Sequence, residues 1–437
     1  CWKNQNHNRS KIEGTTKMGI AEKDEVKNLF KYPLLEAIAH RRSRRFPLGC
    51  TLPEGATQYA STHPAVPLND IETAILCWSG AGITGSITGD LSTKTGGGGF
   101  AGWLGSATPY PSNVHNAKLF YTDDNGTFVY DPKKATKPVE IETEADREKI
   151  RAYFKNDCIK VLDTRVEFVP KALLGVMHWN TNQPGTTVFI PIIDQSEEYI
   201  NFLLGIFETE GFGYRIFDDK KGQFAGLQPW LDAGKLRGPQ VALSSFEQNM
   251  LMNNLSPAYM ILENIHLVAE AMGLGAIMFG GYTGQIMLGV TPLSKGLGFR
   301  AEMTKEGRPN PVGLDKVYEA YCPPYYKDMN EAVDAFLEKK FGSGGFHTAG
   351  YKGVTSFKDW KTVQADFKVP TKTSIDQVKA ICSYVFDTYG RIPATSDTKL
   401  LPVWLQVHHL DLDYYDKFLA PGIVTETHRQ HMEMWHK

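Results

Sequence analysis

Apolar residues along the chain fall into two periods. Leu68, Ile71, Ala74, Ile75 and Trp78 recur at three- and four-residue spacings, which predicts a helix with one buried face, ended by Gly80 and Gly82. The same spacing is stronger over Ala258, Ile261, Leu262, Ile265, Val268, Ala269 and Met272. There Ser256 reads as an N-cap, Pro257 as a first-turn residue and Gly273 as the stop. A core helix of about 24 Å follows at 1.5 Å per residue. Thr143 to Cys158 reads as a charged surface helix. Strand signals lie between these helices. Lys118–Thr122 and Thr127–Tyr130 flank Asp124-Asn125-Gly126, the pattern of a hairpin. Val188, Phe189, Ile190, Ile192 and Ile193 make the stretch from Thr186 to Ile193 a buried strand. Ala276–Phe279 reads as a strand that ends in Gly280-Gly281.

Other segments break both periods. Thr84 to Tyr110 is glycine-rich, with Gly96 to Gly99 in a row, and reads as a loop because it has neither GxxxxGK[ST] nor GxGxxG order. Gly211 to Pro239 is rich in glycine and aromatics with little periodicity, as in segments that cover ligand sites. The organisation expected is a disordered or extraneous N-terminal tail over 1–30, a main domain over 31–345, and a C-terminal extension over 346–437 that wraps the core or a partner subunit. Within the main domain, 84–110 is the glycine-rich loop and 211–240 a lid. The longest apolar stretch, Leu267 to Gly281, is too short for a membrane span and carries Glu270.

Charge narrows the partners. The chain has 47 basic and 49 acidic side chains, a formal net charge of -2, so it lacks the broad basic excess of a nucleic-acid binder. Against that balance Arg41-Arg42-Ser43-Arg44-Arg45 is an island. Forked guanidinium donors beside a hydroxyl suit the phosphate of a small ligand. A solvated basic helix end is the other reading, since arginines complement the negative helix pole. The six cysteines form no CxxC pair, which fits free thiols in a reducing, cytoplasmic setting. Cys1 would also suit the lipid-bearing first residue of a processed lipoprotein, although Met18-Gly19 makes the more natural start.

Five of the 12 histidines lie in the last 30 residues. His408, His409, Asp411, Asp413, Glu426, His428, His431 and Glu433 offer nitrogen and oxygen ligands. His428 and His431 would share a helix face, whereas His408 and His409 would point to opposite sides of a strand. No HExxH order is present. A structural tail is the preferred reading, and no metal ligand is assigned.

Several of these pieces occur together in one family. The arginine–serine run, the helix near Leu68–Trp78, Pro111-Ser112-Asn113 before Leu119-Phe120-Tyr121, and the stretch from Leu262 to Gly275 leading to Gly280-Gly281-Tyr282 and Gly307 to Gly313 resemble the nitroreductase-like flavoproteins. Asp124-Asn125-Gly126 and Val129-Tyr130-Asp131-Pro132 are similar to the branch containing the oxidases of azoline-forming peptide maturation. The resemblance spans Leu34 to Gly313. It implies an α+β, three-layer fold with a central, mostly antiparallel sheet flanked by helices. It also implies an entwined homodimer with one FMN at each of two subunit interfaces. Arg41 and Ser43 match the positions that grip the FMN phosphate, with Arg42 between them, and Arg45 the basic position nearer the ribityl chain and ring. Arg42 and Arg44 match variable positions, expected to be solvated. Pro111, Ser112 and Asn113 match the loop at the isoalloxazine edge. His115 stands where the family often has asparagine, a departure. Gly280 and Gly281 match a close backbone approach to the ring, and Arg308 a late basic position that can reach the phosphate.

The activity so implied is FMN-dependent oxidoreduction between a donor such as NAD(P)H and a small organic or peptide substrate. A flavin carries such chemistry itself, so no catalytic residue is assigned. Tyr110, His115, Tyr214 and Trp230 are candidates to line the substrate face. A deazaflavin in place of FMN, a non-catalytic flavin-binding or assembly protein, and a metal-binding protein using the histidine-rich tail are the alternatives.

Overall fold

The central sheet is built on the hairpin expected from the sequence. Ala117–Asp123 and Gly126–Tyr130 pair antiparallel, with Asp123 opposite Gly126 and Leu119 opposite Tyr130. Asp123 Oδ1 accepts the Asn125 N–H at 2.7 Å and holds the turn. These are features of a computed structural model, which describes residues 19–86, 102, 104–132, 140–208, 213–280, 284–342, 345, 355–366 and 369–437. Residues 1–18 of the expected tail over 1–30, most of the glycine-rich loop (87–101 and 103), positions 211 and 212 of the expected lid, and Gly281 lie outside them; the rest of the expected tail is instead ordered, with helical turns at Ile20–Glu22 and Asp24–Leu29 that bury Ile20 and Val26 in the core.

Thr187–Asp194 lies beside the hairpin and is buried along its whole length, which is why it reads as an unbroken apolar run. Across the sheet the order is Gly275–Gly280, Val403–His408, Thr187–Asp194, Ala117–Asp123, Gly126–Tyr130 and Cys158–Leu162, with the short Lys399–Leu400 also against Thr187–Asp194. All these neighbours are antiparallel. The fold is therefore mixed, with helices packed on a central antiparallel sheet. Residues beyond 346 are part of it, since Val403–His408 is an interior strand.

The helix Asp70–Ala81 packs against the long helix Leu243–Met272. Asn69 caps the first of these through a capping box with Glu72, as the Asn-x-x-Glu spacing dictates. At the crossing Gly80 has no Cβ, and one built there would meet Ile265 Cδ1 at 2.8 Å. The long helix corrects the sequence reading. It starts at Leu243 rather than at Ser256, and Pro257 lies inside it. Proline removes the N–H that would bond the Asn253 carbonyl. Ser256 Oγ donates to that carbonyl instead, at 2.8 Å, and buried Leu243, Phe246 and Met250 continue the apolar face upstream. A second core forms around the helices Gln195–Ile206, Met329–Phe341 and Lys372–Tyr389.

Gly273 ends the long helix in the left-handed region at φ 90°. A Cβ there would run into the Thr427 carbonyl, while one at Gly234, also left-handed at φ 65°, would meet open space. Gly273→Ala should therefore cost more than the roughly 1–2 kcal/mol of the backbone conformation alone, and Gly234→Ala no more than that. Urea denaturation of the two variants checks the difference; equal costs would remove the close-approach argument.

A candidate anion site and a buried histidine cluster

The arginine run leaves the helix Leu34–His40, meets the start of the edge strand Gly275–Gly280, where Ser43 pairs parallel with Ala276, and passes on to Leu410, opposite Pro47. Gly275 admits this approach, because a Cβ there would lie 3.0 Å from the Arg44 carbonyl oxygen. Extended chain alternates its side chains, and from Ser43 to Phe46 exposure alternates in step. Arg41, Ser43 and Arg45 are exposed, and so is Arg42.

Arg44 was expected in solvent, and the structure corrects this. It is 2% exposed. Its Nη1 donates to Glu270 Oε2 at 2.5 Å, its Nε to the Ile423 carbonyl at 2.8 Å and its Nη2 to the His40 carbonyl at 3.2 Å. The inward position of the extended run faces the carboxylate of the long helix, and neither charge is stable there without the other. On the outer side Arg41 Nε lies 3.4 Å from Glu263 Oε1 and Arg45 Nη1 lies 3.4 Å from Met177 Sδ. Both contacts are exposed or half-exposed, and weak.

The arginines also set the state of His266, one turn before Glu270. Burial, then the Arg41 charge, push its pKa down to about 4. The ring is neutral at pH 7.

Other expected site residues lie elsewhere. Ser112 is buried. Its side chain bonds Glu198, whose carboxyl burial pushes up to about 7, and its carbonyl accepts from Asn201 Nδ2 at 3.2 Å. Its hydroxyl is thus turned to the second core. Pro111 beside it is exposed. Asn113 and His115 both have left-handed backbone, φ 55° and 49°, and the His115 ring stacks on Tyr110 at 4.5 Å. Gly280 is the last residue of its strand, opposite Val403. The 111–116 loop enters the sheet at that same end but three strands away, about 14 Å at the usual strand spacing. Arg308 sits between two strands of a separate three-stranded sheet, exposed and 3.2 Å from Glu306. Tyr214 and Trp230 pack against the second core. Close to Gly280, a cavity of about 430 Å³ is lined by Gly284, Gln285, Lys399, Leu400 and Leu401 among others. A single chain therefore unites Arg41, Ser43 and Arg45 and leaves the loop and Arg308 apart from them.

Of the tail ligands weighed from the sequence, His409 and His431 come together. They are joined by two residues that sequence reasoning missed, Glu72 and His436. Glu72 Oε1 lies 3.3 Å from His409 Nε2, 2.9 Å from His431 Nε2 and 3.1 Å from His436 Nε2. Burial pushes the Glu72 carboxyl up, but the three histidines outweigh it and hold the pKa well below the usual value. The Asn69-x-x-Glu72 spacing signals the cap that fixes Glu72 Oε2; nothing in the sequence signals where Oε1 points. Three of the other tail candidates have partners of their own. His428 bonds Thr425 Oγ1 at 2.6 Å, Asp411 caps the helix Leu412–Phe418, and exposed Asp413 meets His63 at 2.8 Å.

No protein-family model matches the sequence, and no curated protein matches it. Among solved structures, a protein of Ralstonia eutropha JMP134 provisionally described as a nitroreductase aligns at 13% identity over 62% of this chain and 74% of its own, with a TM-score of 0.25. An overlap of that depth fixes neither fold nor activity, so the function is argued from the residues.

Two outcomes test the site's electrostatics. Arg44→Ala leaves Glu270 buried and unpaired and should destabilise by about 3–5 kcal/mol, against no more than about 0.5 kcal/mol for Arg42→Ala, both read by urea denaturation. For His266 the folded pKa is below the unfolded one, so the unfolded chain binds more protons in between. Stability is then full above about pH 6.5 and falls toward about pH 4, by up to roughly 1.4 kcal/mol per pH unit from this group. His266→Leu should remove that part of the slope; an unchanged slope would show that His266 is not its source.

Proposed function

We propose that this chain is a flavin-dependent oxidoreductase whose FMN phosphate is held by Arg41, Ser43 and Arg45. One observation carries the reading. The run splits the cluster, tying Arg44 inside and leaving Arg41, Arg42 and Arg45 exposed with the Ser43 hydroxyl among them. A phosphate presents several acceptor oxygens and is well matched by forked donors on a fixed backbone. Arg41 and Arg45 have only weak partners to give up. The residues present fit the phosphate end of FMN. At the ring end Gly280 offers an open backbone edge beside the cavity, whereas the Ser112 hydroxyl does not fit a contact with the ring.

In this reading bound FMN supplies the hydride or electron transfer. The chain's own residues bind and orient: Arg41 and Ser43 take the phosphate, Arg45, past the Gly275 end of the strand, adds positive charge beside it, and Arg44 holds the run in register. The donor would be a reduced nicotinamide and the acceptor a small organic or peptide molecule. A second copy of the chain would complete the site. Leu34, Leu35 and Ile38, on the helix leading into Arg41, are 65%, 77% and 51% exposed, an apolar face suited to a subunit interface.

The test is flavin retention. Purified protein should show the flavin absorption spectrum, bleached by NAD(P)H without oxygen. Arg41→Ala with Ser43→Ala removes two to three charge-assisted bonds of about 1.5–3 kcal/mol each. FMN affinity should fall several-hundred-fold or more, with circular dichroism unchanged. Full retention by the double variant would refute the phosphate assignment, and flavin that no donor bleaches would instead indicate a passive flavin-binding protein.

A further inference from the structure

The Glu72, His409, His431 and His436 cluster lies outside the anion site and draws on three separate parts of the chain. Glu72 is in the first turn of Asp70–Ala81, His409 follows the strand Val403–His408, and His431 and His436 sit on and just after the C-terminal helix Glu426–Trp435. We propose that these four side chains form a structural zinc site that fastens the C-terminal helix to the core.

The geometry is that of a ligand set. One atom from each residue, three Nε2 and Glu72 Oε1, converge so that all lie within 4.8 Å of one another. The three carboxylate–imidazole distances are 2.9, 3.1 and 3.3 Å, and His436 Nε2 is 3.0 Å from His409 Nε2. Zinc bonds of 2.0–2.1 Å in a tetrahedron place neighbouring ligand atoms about 3.3 Å apart. Small side-chain shifts therefore suffice to close the site around an ion.

The surrounding hydrogen bonds orient the ligands. His409 Nδ1 is 2.8 Å from the Val66 carbonyl and His431 Nδ1 is 2.7 Å from the Met272 carbonyl. A carbonyl only accepts, so both rings carry hydrogen on Nδ1 and, when neutral, turn the lone pair of Nε2 to the centre. Metal-binding histidines are fixed in this way. Glu72 Oε2 accepts the Asn69 N–H at 2.6 Å, leaving Oε1 to face the imidazoles. His431 Nε2 is buried and makes no hydrogen bond, although it lies 2.9 Å from that oxygen. Lone-pair nitrogens and an anionic oxygen at such distances repel one another unless a metal ion or shared protons lie between them.

The donor set selects the ion. Three imidazole nitrogens disfavour calcium and magnesium, which take oxygen ligands. A tetrahedral arrangement of nitrogen and oxygen donors favours zinc over the tetragonal preference of copper(II). Four protein ligands at a buried centre leave no open position, which marks a structural rather than a catalytic site. Asn69 Nδ2 also donates to the Trp435 carbonyl at 3.0 Å, so both ends of the proposed clamp join the same two helices.

The experiment uses the full chain, purified without a metal-affinity tag and dialysed against zinc-free buffer. Elemental analysis should find about one zinc per chain. 1,10-Phenanthroline should lower the melting temperature by several degrees, and added zinc should restore it. Cobalt(II) exchange should give the intense visible spectrum of a tetrahedral site. His436→Ala, the least buried of the four, should fold but hold less than roughly a tenth of the wild-type zinc and show no response to chelator. Glu72→Gln should behave alike; should it fail to fold, His436→Ala decides. Wild-type protein that stays zinc-free after zinc supply, or a His436→Ala variant with full zinc content, would overturn the proposal. A protein whose melting temperature follows pH but ignores zinc and chelator would identify the cluster as a proton-bridged network instead.

Discussion

The outward face of the strand edge depends on one buried ion pair. Arg44 and Glu270 are both about 2% exposed, and isolating either charge in that position would cost several kcal/mol. The pair therefore sets which residues of an arginine-rich run turn inward. A slip of one residue would bury Ser43 or Arg45 against Glu270 and put Arg44 in solvent. The carbonyls of His40 and Ile423 take two more of the Arg44 donors, so the guanidinium is held by the preceding helix, the long helix and the C-terminal segment together. Positioning of Arg41, Ser43 and Arg45 is a consequence of that anchoring.

Local signals in the sequence were largely sufficient for local structure. The Asp124-Asn125-Gly126 turn, the Asn69 cap, the Gly273 stop and the apolar run of Thr187–Asp194 each act within a few residues, and each stands where its chemistry puts it. Pro257 shows the limit of that logic. Read alone it starts a helix, but Ser256 accounts for the freed carbonyl and burial carries the helix upstream. Tertiary contacts decided the boundary that propensity had placed.

The candidate sites were less legible because both are assembled from distant segments. Arg44 and Glu270 are 226 residues apart and Glu72 and His409 are 337 apart. Neither pairing has a spacing that a sequence can display. Arg44 looked solvated because charge runs usually are; only the register with Ala276 shows that its side chain turns toward a carboxylate. One Glu72 oxygen closes the capping box with Asn69, and no local pattern shows where the other points. The Ser112 loop is a different case. Its hydroxyl binds Glu198 within the chain, and its separation from Arg41 follows from strand order, which no motif encodes.

The two sites meet at the C-terminal helix. His431 and His436 face Glu72 on one side of the chain end, and His431 Nδ1 reaches the Met272 carbonyl, two residues beyond Glu270. Toward the other side, the Ile423 carbonyl takes Arg44 Nε and His428 Nε2 lies 3.7 Å from Glu270 Oε1. Burial and the Arg44 charge push the His428 ring down to about 3, so it is neutral at pH 7 and does not compete with Arg44 for the carboxylate. The short helix and the segment just before it thus contact both the histidine cluster and the arginine anchor. Loss of the helix's hold on Glu72 would loosen the Ile423 contact as well. An ion that fixes this helix would act on the strand edge from a distance, by keeping Arg44 buried and its neighbours turned outward.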